Sequence, residues 1–177
     1  MRKYLFLLIA LFPIISAAQS NVSAADKYIA KYHQLAILEM ESTGIPASIT
    51  LAQALHESAN GTSQLAVKAN NHFGVRCSSN WAGKRFYRNG NKRNYCFRKY
   101  NSVEEAYKDR SSFLSNNKKY SFLFKYGNQD YIHWAKGLQR SGYASSRTYA
   151  KQLISTINRY NLQQYDKMSI DISKDSL

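Results

Sequence analysis

The helical spacing of apolar residues along this chain stops at Val75 and resumes only after Tyr100. Between these positions, residues 86–91 and 95–98 read as two short strands, and Asn89 followed by glycine is a hairpin signal. Because helical segments precede and follow this stretch, the chain has to fold as a mainly helical body with one small inserted β-lobe. The sequence therefore predicts an α+β fold that is predominantly α.

Five segments outside the lobe show apolar residues three or four positions apart, which is typical of amphipathic helices. They cover residues 26–40, 46–59, 103–114 and 131–138 and a stretch from Ser145 or Ser146 to 160, with stop signals at Gly44, Asn60-Gly61 and Gly142. Ser102 and Glu105 form a capping-box pattern before the third helix. The length of 177 residues suits one domain with its own core.

The first eighteen residues have the pattern of a secretory signal peptide. A positive start, residues 1–3, precedes an apolar run, 4–15, and small residues end at Ala18. The apolar run is shorter than the ~20 residues of a membrane span, which favours cleavage over anchoring. We therefore expect a signal peptide over 1–18, a folded domain over 19–165 and a polar, frayed tail over 166–177. The mature protein is expected to be exported, either periplasmic or secreted, without stable membrane insertion.

Export changes the interpretation of the two cysteines. Cys77 and Cys96 are the only cysteines, so a single pairing exists, and an oxidising compartment favours a disulfide. In the chain-entropy model such a bond is worth ~3 kcal/mol. Two free buried thiols are the alternative.

Glu57 stands apart from the other acidic residues. It lies near the carboxyl end of a mostly apolar helix, where the helix carbonyls disfavour a second negative charge. That field and partial burial are expected to raise its pKa, as a general acid requires near neutral pH. A buried structural glutamate is the alternative. His56-Glu57 also begins the zinc motif H-E-x-x-H, but Asn60 replaces the second histidine, so the sequence predicts no metal site and no cofactor.

Four ordered motifs resemble the glucosaminidase family of peptidoglycan hydrolases, which includes autolysins and flagellar cell-wall hydrolases. They are the helix at 45–58 that ends in Leu-His-Glu-Ser, the loop Asn-Asn-His-Phe-Gly-Val at 70–75, the segment at 96–102, and the closing block at 134–150. The likeness runs from about Tyr28 to Tyr160. It implies a lysozyme-like catalytic domain and an endo-β-N-acetylglucosaminidase, which cuts the glycan after N-acetylglucosamine.

The resemblance also implies roles for individual residues. Glu57 matches the general acid, and Tyr143 matches a tyrosine that lines the site and assists catalysis. The positions that match the cleft or its floor are Asn71, His72, Phe73 and Tyr149. Core packing is the alternative for both tyrosines. Trp81 is a candidate for stacking on a sugar face, with packing inside the β-lobe as its alternative.

The chain departs from this pattern because no Asp or Glu lies between Ser58 and Val103. Glycoside hydrolysis classically uses two carboxylates, and many relatives carry the second on the hairpin. Three explanations remain open. In the first, the 2-acetamido oxygen of the substrate attacks the anomeric carbon with support from Tyr143. In the second, a carboxylate such as Asp109 reaches the site from a helix. In the third, the protein binds glycan and cuts it poorly or not at all.

The strongly basic composition indicates a polyanionic partner or surrounding. Lys and Arg number 25 against 11 Asp and Glu, a net charge of +14. The predicted lobe holds eight cations and no acid: Arg76, Lys84, Arg85, Arg88, Lys92, Arg93, Arg98 and Lys99. Positive charge close to Glu57 would lower its pKa.

Anionic cell-wall material is the expected partner of this basic lobe. Nucleic acid is the rival, because the lobe interleaves cations with aromatic residues, but the signal peptide argues against it. We expect a monomer that binds peptidoglycan strands and no nucleic acid. A silent glycan-binding protein and a muramidase or lytic transglycosylase are the alternative functions.

Overall fold

The computed structural model describes residues 22–90 and 94–170, so the expected signal peptide at 1–18 lies outside the described residues. The helices are α1 (Ala24–Thr43), α2 (Ala47–Ser58), α3 (Gln64–Ala69), α4 (Val103–Ser115), α5 (Tyr131–Arg140) and α6 (Tyr149–Arg159). The strands are β1 (Arg85–Asn89) and β2 (Asn94–Arg98), and two 3₁₀ segments cover Lys118–Tyr126 and Leu162–Lys167. The predicted α+β architecture is confirmed, while α3 and both 3₁₀ segments are additions to it.

Capping residues explain where α1 and α4 begin and where α1 ends. The Ser23 hydroxyl accepts a hydrogen bond from the Asp26 N–H at the start of α1, and Gly44 ends that helix at φ +77°, a left-handed conformation that favours glycine. Ser102 caps α4 by accepting from the N–H of Glu105. The Glu105 carboxylate accepts from the N–H of residue 101 and not from that of Ser102. Of the two hydrogen bonds of the expected capping box, only the one accepted by Ser102 is therefore present.

Helix α2 is the centre of the core. Ten of its twelve residues are buried, and it packs against α1, α6 and the 3₁₀ segment Leu162–Lys167. Its buried polar side chains, among them Ser48, Thr50 and Gln53, have hydrogen-bond partners, which allows the helix to be buried on nearly all sides. His56 and Glu57, in its last turn, are its exposed residues. The packing of α2 therefore brings one end of the helix, and with it Glu57, to the molecular surface.

The amino end of α2 is held by a carboxylate from the far end of the chain. Pro46 precedes α2 and offers no side-chain cap. The Asp166 carboxylate accepts hydrogen bonds from the N–H and hydroxyl of Ser48, at 2.8 and 2.6 Å. Asp166 is buried, and the N–H of Ile170 donates to Glu41 at 2.9 Å. Asp166 and Ile170, which the sequence placed in the polar tail, therefore both contact the helical body.

Replacing Asp166 with alanine should lower the free energy of unfolding by about 2–4 kcal/mol, because each buried polar group left without a partner costs ~1–3 kcal/mol. The Ser48 N–H and hydroxyl would both lose their acceptor. Calorimetric unfolding near neutral pH measures the loss. Ser48→Ala removes only the hydroxyl contact and should cost less than Asp166→Ala. Equal stability of wild type and Asp166→Ala would refute the cap.

The β-lobe is a two-stranded antiparallel hairpin in which Asn89 pairs with Asn94. The predicted hairpin is confirmed, and Asn89, which the sequence placed in its first strand, is the last residue of β1. The predicted disulfide between Cys77 and Cys96 is present, with an S–S distance of 2.05 Å. Next to it, the N–H of Cys77 donates to the carbonyl of Cys96 at 3.0 Å, so the segment after α3 is tied to β2.

Candidate active site

A cleft of about 740 Å³ separates the helical body from the β-lobe. Its lining comes from the end of α2, the loop after α3, the end of β2, α4, the first 3₁₀ segment, the segment before α6, and α6 itself. The residues that matter for chemistry are Glu57, Phe73, Gly74, Arg76, Arg98, Arg110, Tyr120, Tyr143 and Tyr149. Glu57 is the only carboxylate among the described residues that line this cleft.

Glu57 reaches into the cleft beside a sharp bend of the loop. Gly74 has a φ of +64°, and a Cβ placed there would lie 3.6 Å from Glu57 Oε2. The loop backbone thus passes directly along the carboxylate, which stays open to the cleft on its other side. Desolvation by this surrounding protein raises the pKa of Glu57, in the direction expected. The expected opposing effect of lobe cations does not reverse that shift.

Three tyrosines form an aromatic wall of the cleft. The rings of Tyr143 and Tyr149 stack at 5.8 Å, and Tyr120 meets Tyr143 edge-on at 6.1 Å. Burial raises the pKa of Tyr143 and of Tyr149, so both phenols stay protonated and can donate hydrogen bonds. The Tyr149 hydroxyl accepts a hydrogen bond from Gln53 Nε2 at 2.8 Å. Tyr143 and Tyr149 therefore lie where the sequence expected them, at the cleft.

A buried arginine supports this wall from beneath. Arg110 is 1% exposed and donates to Thr50 Oγ1 at 3.0 Å and to Gln53 Oε1. No carboxylate forms an ion pair with it in the part of the chain that the structure describes. Arg110 was not among the site residues predicted from the sequence. The sequence feature that could have identified it is a cation on the apolar face of α4, three positions after Tyr107.

The predicted residues Asn71 and His72 are buried behind the cleft and do not line it. The Asn71 side chain accepts from the N–H of Val75 at 3.0 Å and donates to the carbonyls of Val75 and Arg98 at 2.9 and 2.8 Å. His72 Nδ1 shares a 2.6 Å hydrogen bond with the Tyr28 hydroxyl, and burial lowers the pKa of His72 to about 4. Both side chains hold the loop that presents Phe73 to the cleft.

Trp81 is not among the residues that line the cleft. Its indole N–H donates to the carbonyl of Lys84 at 2.9 Å, and the Arg98 guanidinium lies 4.5 Å from the ring centroid. Its ring also meets Tyr100 edge-on at 5.9 Å. The structure places Trp81 in a packed position within the β-lobe, which was the alternative to sugar stacking.

Asp109 does not reach the cleft from α4. Arg98 Nη1 donates to both of its carboxylate oxygens, at 2.7 and 2.8 Å, and the Tyr100 hydroxyl donates to it at 2.6 Å. The Asp109 carboxylate is thus paired with a cation and does not line the cleft. The explanation that Asp109 supplies the second carboxylate is therefore not supported.

A second, shallower groove of about 850 Å³ runs along the outer sides of α5 and α6. Lys136, Arg147, Lys151 and Arg159 line it without any carboxylate, so it offers no proton donor of the kind that Glu57 provides. Within residues 22–90 and 94–170, no cluster of His, Cys, Asp or Glu could hold a metal ion. No helix in those ranges is both long enough and apolar enough to cross a bilayer.

A helical body, a small hairpin lobe and a single glutamate at the end of a buried helix define a lysozyme-like α+β domain. A family model described as mannosyl-glycoprotein endo-β-N-acetylglucosaminidase matches residues 33–162. The chain therefore belongs to the glucosaminidase family, as the four sequence motifs indicated.

Curated relatives and solved structures agree with this assignment. The chain is 32% identical to the exo-glucosaminidase LytG of Bacillus subtilis, over 88% of this chain and 58% of LytG. It is 30% identical to the peptidoglycan hydrolase FlgJ of Pseudomonas aeruginosa, over 80% of this chain and 38% of that protein. The chain thus spans about two fifths to three fifths of these relatives. The glycoside hydrolase domain of Salmonella typhimurium FlgJ superposes with a TM-score of 0.66, at 29% identity, over 79% of this chain and 90% of that one.

Proposed function

We propose that this protein is a peptidoglycan hydrolase that cleaves the β-1,4 bond after N-acetylglucosamine, with Glu57 as general acid. The observation that carries the proposal is Glu57, a carboxyl group of raised pKa and the single carboxylate among the described residues that line a cleft of about 740 Å³. The names of the similar proteins support the substrate class. The disulfide supports a place of action outside the cytoplasm, in the periplasm or beyond the cell.

The proposed mechanism uses one carboxyl group and the substrate. Glu57 donates its proton to the bridging oxygen as the bond from C1 to that oxygen breaks. The carbonyl oxygen of the 2-acetamido group of the same sugar bonds to C1 and forms an oxazolinium ion, a known exception to the two-carboxylate scheme. A water molecule then attacks C1 and opens the oxazolinium ring, while the ionised Glu57 takes a proton from that water. Tyr143, a protonated phenol in the cleft wall, supports the charge on the substrate.

Mass spectrometry of fragments released from purified cell wall tests the proposed bond. We expect new reducing ends at N-acetylglucosamine. Reducing N-acetylmuramic acid or its anhydro form would identify a muramidase or a lytic transglycosylase instead. Binding without any released fragment would identify a silent glycan-binding protein. Fragments from the interior of strands, as opposed to terminal sugars alone, would separate endo-cleavage from the exo-cleavage that the name of LytG states.

The pH dependence of kcat/KM should report the ionisation of Glu57. Hydrolysis needs the protonated acid, so the rate falls as pH rises through the pKa of Glu57 in the free enzyme. Because desolvation raises that pKa, the descending limb should lie above ~4.3, the ordinary value of a glutamate. The measurement is the initial rate at low substrate across the acidic and neutral range. A descending limb at or below the ordinary value would contradict the assignment.

A further inference from the structure

Three arginines line the cleft with Glu57, and the structure gives each a different environment. Arg98 is neutralised by Asp109, through two hydrogen bonds of 2.7 and 2.8 Å. Arg110 is fully buried and held by neutral oxygens under the tyrosine wall. Arg76 is exposed, and no carboxylate forms an ion pair with it within the described ranges. Arg76 is thus the cleft arginine whose charge remains open to a ligand.

Aromatic contacts restrain the Arg76 side chain. Its guanidinium carbon lies 4.7 Å from the ring centroid of Tyr95 and 6.0 Å from that of Phe97, both on β2. The backbone of Arg76 also pairs with that of Phe97, which fixes the Cα of Arg76 against the lobe. A guanidinium on aromatic faces keeps its edge N–H groups free for a planar acceptor such as a carboxylate. It also loses less conformational entropy on binding than a free arginine does.

The position of Arg76 relative to Glu57 determines which part of a substrate its guanidinium can contact. Arg76 follows Gly74, which lies against the Glu57 carboxylate, by two residues. It therefore lies on the lobe side of the same cleft that Glu57 lines. In peptidoglycan the sugar on the leaving side of the bond that Glu57 would protonate is N-acetylmuramic acid, whose lactyl group carries the peptide stem with its carboxylates.

We infer that Arg76 binds a carboxylate of the peptide stem and makes the cleft selective for peptide-bearing strands. This inference rests on the proposed function and names a specificity residue within that site. Arg76 does not touch the reacting atoms, so its contribution lies in substrate binding. Its interaction is a charge pair at an open surface, and added salt therefore weakens it.

Arg76→Gln tests the inference on two substrates: cell wall with intact stems and the same glycan stripped of its peptides by an amidase. On intact wall we expect KM to rise about fivefold with kcat within about twofold, and the difference to shrink in high salt. On stripped glycan the variant and the wild type should have equal KM. Arg159→Gln is the matched control, because Arg159 also lies over a tyrosine, Tyr160 at 5.5 Å, but outside the cleft.

Equal losses on both substrates, or no loss on either, would overturn the inference. If the wild type releases no fragment, the proposed hydrolysis fails, and the same comparison is made by co-sedimentation with the two polymers. A larger Kd of Arg76→Gln for intact wall alone would then still support the stem contact. Equal Kd values would overturn it independently of catalysis.

Discussion

Glu57→Gln should lower the rate of peptidoglycan hydrolysis by about 10²–10⁴-fold, the usual contribution of a general acid. The amide has nearly the same shape as the carboxyl group but cannot protonate the bridging oxygen. Glu57 is the only carboxylate among the described residues that line the cleft, so no neighbour there can replace it. Dye release from labelled cell wall measures the rate, and zymography should show a clear band for the wild type alone.

This loss should be separable from any loss of folding. Glu57 is exposed at the carboxyl end of α2, where a negative charge opposes the helix dipole. Glu57→Gln should therefore unfold at the same temperature as the wild type or slightly higher, and should still bind cell wall. Glu104→Gln, an exposed change at the start of α4 outside the cleft, is the matched control and should keep full activity. If Glu57→Gln digested cell wall at the wild-type rate, the proposed role of Glu57 would be refuted.

Weakening the nucleophile of the substrate should have the second largest effect. If the 2-acetamido oxygen attacks C1, glycans that carry trifluoroacetamido groups should react about 10²-fold more slowly or worse, because the attacking oxygen is electron-poor and an aligned internal nucleophile supplies much of the rate. Glycans with free amino groups should not be cleaved at those sugars. Neither change affects proton donation by Glu57. The measurement is kcat/KM on matched oligosaccharides.

Stereochemistry provides an independent check of the same prediction. Two successive displacements at C1 give a β-product, so the freshly released reducing end should retain its configuration in time-resolved NMR. Inversion, together with equal rates for acetamido and trifluoroacetamido substrates, would show that a water molecule attacks directly. That outcome would require a carboxylate outside the described cleft lining, since Asp109 is bound by Arg98 and Tyr100.

The sequence was sufficient for the features that arise from local patterns. Gly44 ends α1 because its left-handed backbone favours glycine, and the mostly apolar composition of α2 favours its burial. The position of Glu57 near the end of that helix and the cysteine pair were also predictable from the sequence. These properties depend on neighbours within a few positions or, for the cysteines, on a single possible pairing.

Only the tertiary structure decided which polar side chains face the cleft. Asn71 and Phe73 are two positions apart. The Asn71 side chain is buried and donates hydrogen bonds to backbone carbonyls around the loop, whereas Phe73 lines the cleft. Asp166 caps a helix 118 positions away, where a polar tail was expected. Arg98 and Asp109 neutralise each other and leave Arg76 open. A sequence pattern gives the faces of one helix or strand, whereas partners distant in the chain become neighbours only through packing of the elements.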